Sequence, residues 1–113
     1  MSVKEREVEL IKQKQKEALR LDFHKFVLSL LQTERKNEIL EKANKRVSLW
    51  KNNNLCSYFY IEKWDIILND NLNLFELEII KNNSNNALAL MQNSPFSFLI
   101  KEFKIINNKC WLY

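Results

Sequence analysis

Leu21-Asp22-Phe23-His24-Lys25-Phe26-Val27-Leu28-Ser29-Leu30-Leu31 is the densest apolar stretch of the chain, and no glycine or proline stands near it. From residue 3 to about residue 51 good helix formers dominate, which predicts helix on both sides of the stretch. Seven of its eleven residues are large and apolar, too many for a narrow stripe, so this part of the helix is expected to be surrounded by protein. Upstream the same helix is polar as far as Arg20, with only Val8, Ile11, Gln15, Ala18 and Leu19 forming a thin stripe. A helix of this kind buries its C-terminal part. Residues 1–20 then read as a projecting arm, with an ordinary surface helix or a frayed end as the alternatives.

Downstream, Gln32-Thr33-Glu34 reads as a break, with Thr33 as the next N-cap. Ile39, Leu40, Ala43, Val47 and Trp50 then recur at three and four residues, one amphipathic stripe. The short connection predicts that helices one and two form an antiparallel hairpin. Beyond Asn54 the elements shorten and aromatics accumulate. Ser57 is placed to cap a helix through Tyr60, Ile61, Trp64, Ile67 and Leu68. Residues 72–80 fit a helix through Leu74, Leu77 and Ile80, although Phe75-Glu76-Leu77-Glu78-Ile79 alternates like a strand; the helical neighbours favour helix. Ser84 is placed to cap a short helix through Leu88 and Met91. Ser94-Pro95 marks the start of one through Phe96, Leu99, Ile100 and Phe103. The tail, including residues 104–113, fits a short hairpin around Asn107-Asn108, a strand, or an extended end tied down by Trp111. The expected fold is one all-α domain over residues 1–113, with five or six helices. In it a long N-terminal helical hairpin packs on a compact, aromatic-rich cluster.

The chain contains no glycine and a single proline, Pro95. Glycine lets a backbone take positive φ or lie against a phosphate. Its absence excludes a P-loop, a dinucleotide-binding fingerprint and a glycine-rich nucleophile elbow within these residues. Asparagine is common instead, at Asn52-Asn53-Asn54, Asn82-Asn83, Asn85-Asn86 and Asn107-Asn108. Asn is the residue that best replaces glycine in the left-handed region, so these clusters predict turns and helix C-caps. With frequent Lys and Ile, they also give the bias of an AT-rich genome, bacterial or carried on a mobile element.

Catalytic and metal chemistry find little to work with. His24 is the only histidine, and Asp22 beside it points to another side of a helix. Cys56 and Cys110 lie far apart without CxxC spacing, as reduced structural thiols would. One His and two separate Cys do not make a structural zinc site. Glu62, Asp65, Glu76 and Glu78 are the one conceivable carboxylate group, but Glu62 and Asp65 stand close to lysines and read as surface charges. No catalytic residue, cofactor or metal is expected. The first residues, Met1 to Arg6, lack the apolar stretch of a secretory signal, and no segment suits a membrane span. A cytoplasmic protein with no membrane partner is the expectation.

The net charge of +4 lies in the first part of the chain, with twelve basic and eight acidic side chains before Lys51 and six of each from it onward. Two function classes follow. The first is a small non-enzymatic accessory protein of bacterial or phage type, which binds a protein partner and modulates or inhibits it as antitoxins, immunity proteins and defence inhibitors do. Its anchors would be the exposed members of Tyr58, Tyr60, Trp64, Phe96, Trp111 and Tyr113, since Trp and Tyr are favoured at interface hot spots. The alternative is a small DNA- or RNA-binding regulator that sets Lys12, Lys16 and Arg20, spaced along one face of the first helix, against phosphates. Self-association through the first helix, giving a homodimer, adds to the first class rather than competing with it, because the stripe lacks sustained heptads.

Overall fold

The computed structural model describes residues 3–69, 72–82 and 84–107. Among them are six α-helices and no strand. They are α1 (Val3–Leu30), α2 (Lys36–Asn53), α3 (Tyr58–Asn69), α4 (Leu72–Phe75), α5 (Asn85–Gln92) and α6 (Ile100–Asn107). A π-helical stretch, Glu76–Ile80, continues α4, and a 3-10 turn, Ser97–Leu99, leads into α6. The all-α expectation holds. Ile105 and Ile106 lie in α6, so no strand begins there, and residues 108–113 are outside the described residues.

At 1.5 Å per residue α1 runs about 42 Å, against 47 Å for the longest dimension of the molecule. Its second half enters the core. Phe23, Val27 and Leu31 are buried one turn apart, and each such side chain contributes about 1.5–3 kcal/mol by leaving water. The helix stops at the predicted break. There Thr33 does not cap α2: its hydroxyl donates to the Leu30 carbonyl and accepts from the Arg35 N–H at 3.2 Å. It closes the turn between the helices, and α2 starts at Lys36 with no side-chain cap.

The two long helices expected as a hairpin make their main contacts with other elements. α2 packs chiefly on α3, whereas α1 packs on α5, the π-helical stretch and α6. The 3-10 turn and α6 sit in the angle between α1 and α2. Phe103 meets Phe23 and Phe26 with ring centroids 5.4 Å apart in each case. Across the gap Arg35 grips the Glu102 carboxylate with both guanidinium nitrogens, and Lys42 lies 5.9 Å from the Phe98 ring centre. A short connection fixes where α2 begins but not its direction; Phe103 packs against α1 and Phe98 lies beside Lys42 of α2.

The alternation Phe75-Glu76-Leu77-Glu78-Ile79 resolves as helix because Phe75 and Ile79, four apart, are buried while Leu77 is exposed. The Lys81 N–H reaches back five residues to the Glu76 carbonyl at 2.9 Å, the wide turn of a π-helix. At the head of α5 the Ser84 side chain accepts from the Ala87 N–H at 3.2 Å, as expected of an N-cap.

Candidate partner-binding surface

Tyr58 and Tyr60 owe their position to a single backbone event. At Asn54 the chain takes φ 53° and ψ 39°, the only positive φ among the described residues. The Leu55 N–H then donates to the Trp50 carbonyl at 3.1 Å. A left-handed residue followed by this six-to-one bond is the Schellman closure of a helix, and the two residues it joins, Trp50 and Leu55, both border one depression. Asn54 thus does the work of glycine in a chain that has none. α3 begins four residues later, and the reversal throws Leu55, Tyr58 and Phe59 outward.

This α2–α3 corner carries exposed apolar and aromatic side chains close together. Tyr58 is 70% exposed and Leu55 67%, with Leu49 and Phe59 also on the surface. Tyr60 is half-buried, its ring edge-on to Phe59 with centroids 5.4 Å apart. Depressions flank the corner on both sides. One of about 310 Å³ is walled by Trp50, Leu55, Cys56, Ser97 and Ile100; a smaller one of about 120 Å³ lies between Val47, Lys51, Tyr58, Ile61 and Asp65. An apolar rim with charged Lys51, Glu62 and Asp65 beside it has the make-up of an interface, an aromatic centre ringed by polar groups. Cys56 is a free thiol, and partial burial pushes its pKa up, slightly offset by the Ser57 backbone, so it is a poor nucleophile.

The other expected anchors divide. Trp64 and Phe96 are fully buried and are removed from the partner-binding set. They sit in one aromatic core with Phe75, where Trp64 and Phe96 meet edge-to-face at 5.8 Å and Phe75 and Phe96 at 5.7 Å. The Trp64 indole N–H donates to the Leu90 carbonyl at 3.2 Å. Tyr60 and Trp64, four apart, share one face of α3; Tyr60 is half-buried at the helix start and Trp64 lies a turn deeper in the core, which aromatic content alone does not distinguish. Trp111 and Tyr113 lie outside the described residues.

What the sequence did not disclose about His24, which its apolar surround marks as a structural histidine, is its set of partners. It is completely buried, stacked near Trp64 at 6.2 Å and close to Phe75. Nδ1 lies 2.7 Å from the Arg20 carbonyl, which only accepts, so Nδ1 carries the proton. Nε2 lies 2.9 Å from the Ser94 hydroxyl and accepts from it. Ser94 in turn accepts from the Phe96 N–H at 3.2 Å, so one hydroxyl both caps the turn into α6 and ties it to α1. Burial pulls the His24 pKa down to about 4, against a smaller opposing effect of the Arg20 carbonyl. The ring is neutral at pH 7. Its orienting partner is a carbonyl rather than a carboxylate.

Of the basic stripe, Lys12 is exposed and weakly paired with Glu9 at 4.0 Å, while Lys16 and Arg20 are half-buried. Lys16 and Arg20 lie on the line that runs on into Phe23 and Val27, so the stripe turns toward the protein body as it approaches it. Among the described residues no group of three or more His, Cys, Asp or Glu is placed to hold a metal ion, and no helix is long and apolar enough to cross a membrane. No protein family, curated protein or solved structure matches the chain.

Proposed function

We infer that this protein is a small non-enzymatic accessory factor of bacterial or phage origin, acting in the cytoplasm. It binds a protein partner through the α2–α3 corner and modulates or inhibits that partner by covering a functional surface. The observation that carries the reading is the cluster of Leu55, Tyr58 and Phe59. These side chains are held outward by a capped helix end, between two depressions, while the remaining large aromatics of the described residues are packed in the core or half-buried. Tyr58 supplies the interface anchor. Tyr60 supports it through the Phe59 ring.

The test is capture of partners from lysate of the native host by tagged wild-type protein and by Tyr58→Ala, with and without nuclease and at 50 and 200 mM salt. The wild type is expected to retain one protein partner under all these conditions. Tyr58→Ala should weaken that complex by about 2 kcal/mol or more while its thermal unfolding stays within about 0.5 kcal/mol of wild type. Recovery of nucleic acid that is lost on nuclease or salt treatment overturns the reading and transfers the function to Lys12, Lys16 and Arg20.

A further inference from the structure

We propose that the first half of α1 is a self-docking arm: two copies of this chain pair antiparallel through the stripe Val8, Ile11, Gln15 and Ala18. The proposal is independent of the α2–α3 corner, which lies on other helices.

At 3.6 residues per turn these four side chains share one side of α1, roughly 140° around the helix from the line of Phe23, Val27 and Leu31. They are therefore off the core line, and only Ala18 among them borders the body, at a depression shared with Ile79, Leu88 and Met91. All four are exposed, Val8 at 45% and Ile11 at 56%, whereas Lys16, Leu19 and Arg20 on the other side are half-buried. The exposed stripe does not fade into the core stripe. Among the described residues it is a second face, set apart from the core stripe.

The charges beside it specify a second copy as the occupant. With Val8 and Gln15 at a positions and Ile11 and Ala18 at d, Glu5 and Lys12 fall at e, and Glu7 and Lys14 at g. In an antiparallel pair with Val8 of each copy facing Ile11 of the other, Glu5 comes opposite Lys12 of the second copy. In the same register Glu7 comes opposite Lys14. Two acidic residues before the centre and two basic residues after it thus give four cross-pairs from one sequence. A parallel pair in register matches only Glu7 with Lys12 and sets Lys14 against Leu19. Polar Lys4 and Gln15 face each other at both ends and limit the apolar contact to the central layers.

The experiment is equilibrium sedimentation of the full chain over a wide concentration range, with two charge-reversed forms, Glu5→Lys/Glu7→Lys and Lys12→Glu/Lys14→Glu. Wild type is expected to reach a dimer. Each reversed form alone should self-associate about tenfold more weakly or worse, and an equimolar mixture should regain wild-type strength as a heterodimer. That recovery also shows that neither variant is misfolded. On a Cys56→Ser/Cys110→Ser background, Glu7→Cys and Lys14→Cys chains should form an interchain disulfide when mixed and not separately. Monomer persisting to about 1 mM leaves the stripe to solvent or another partner and overturns the proposal. A dimer untouched by either reversal, or a disulfide within each cysteine form alone, overturns it too.

Discussion

Residues 4–15 of α1 and residues 19–31, the end of that helix and the turn residue after it, share the same freedom from helix breakers, and they are held by different forces. In the second segment Phe23, His24, Val27 and Leu31 are buried, and Phe23 meets both the His24 and Phe103 rings. Residues 4–15 are exposed throughout and carry contacts such as Glu9 with Lys12 at 4.0 Å and Gln13 with Glu17 at 3.2 Å, of a kind that adds about 0.2–0.5 kcal/mol each. A free helix of about 12–15 residues is marginal in water because its first turn is costly to form. The arm avoids that step, since it extends a helix already nucleated in the core. Helix in one half of α1 is thus set by packing, and in the other by propensity added to a finished turn.

Substitutions should separate the two regimes. Trp64→Ala removes the largest core side chain and the bond to Leu90, and is expected to cost about 3–5 kcal/mol, read as lowered denaturant midpoint. Arm and body should then lose helical circular dichroism together; an arm that stays helical after the core melts would break the comparison.

Acid comes next. The folded state holds His24 at a pKa of about 4, below its ordinary 6.5, so the unfolded chain binds more protons between these values. Stability contributed by neutral His24 is complete above about pH 6.5 and falls as the pH drops toward 4, by about 3 kcal/mol in all. His24→Gln should flatten this part of the stability–pH curve; an unchanged slope would show that the ring is not the titrating group.

Asn54→Ala sharpens the comparison at a smaller scale. It forces an ordinary residue into the left-handed region and should cost about 1 kcal/mol in thermal unfolding, whereas Asn54→Gly should hold or slightly raise stability. Smallest of all is Val8→Ala, within about 0.5 kcal/mol for dilute monomer. A larger loss there would mean that the body covers the arm after all.

Much of this architecture was legible in the sequence for physical reasons. The change from a polar to an apolar surround at Leu21 marks where α1 enters the core. Ser84 caps α5 as its side chain predicts, and Asn54 takes the left-handed turn that a chain without glycine must assign to another residue. What escaped were contacts between residues far apart in sequence. Spacing along a helix says which side chains share a face but not which neighbour that face meets. The α1–α2 hairpin was therefore expected, whereas each of the two helices makes its main contacts with other elements. Ser94 was read as a local cap, and its bond to His24, 70 residues away, left no local mark. Of the proposed interface, Tyr58 and Tyr60 were visible as aromatics at a helix start. Leu55 and Phe59 were not, because their exposure follows from the Asn54 reversal.

The stacking of His24 on Trp64 also makes the core readable by light. An indole sealed from water emits toward the blue, and a protonated imidazole is an efficient quencher where a neutral one is weak. With Trp50 and Trp111 replaced by phenylalanine, the emission of Trp64 reports the charge on a ring 6.2 Å away. Its intensity becomes an optical titration of the bond that fastens α1 to the entrance of α6.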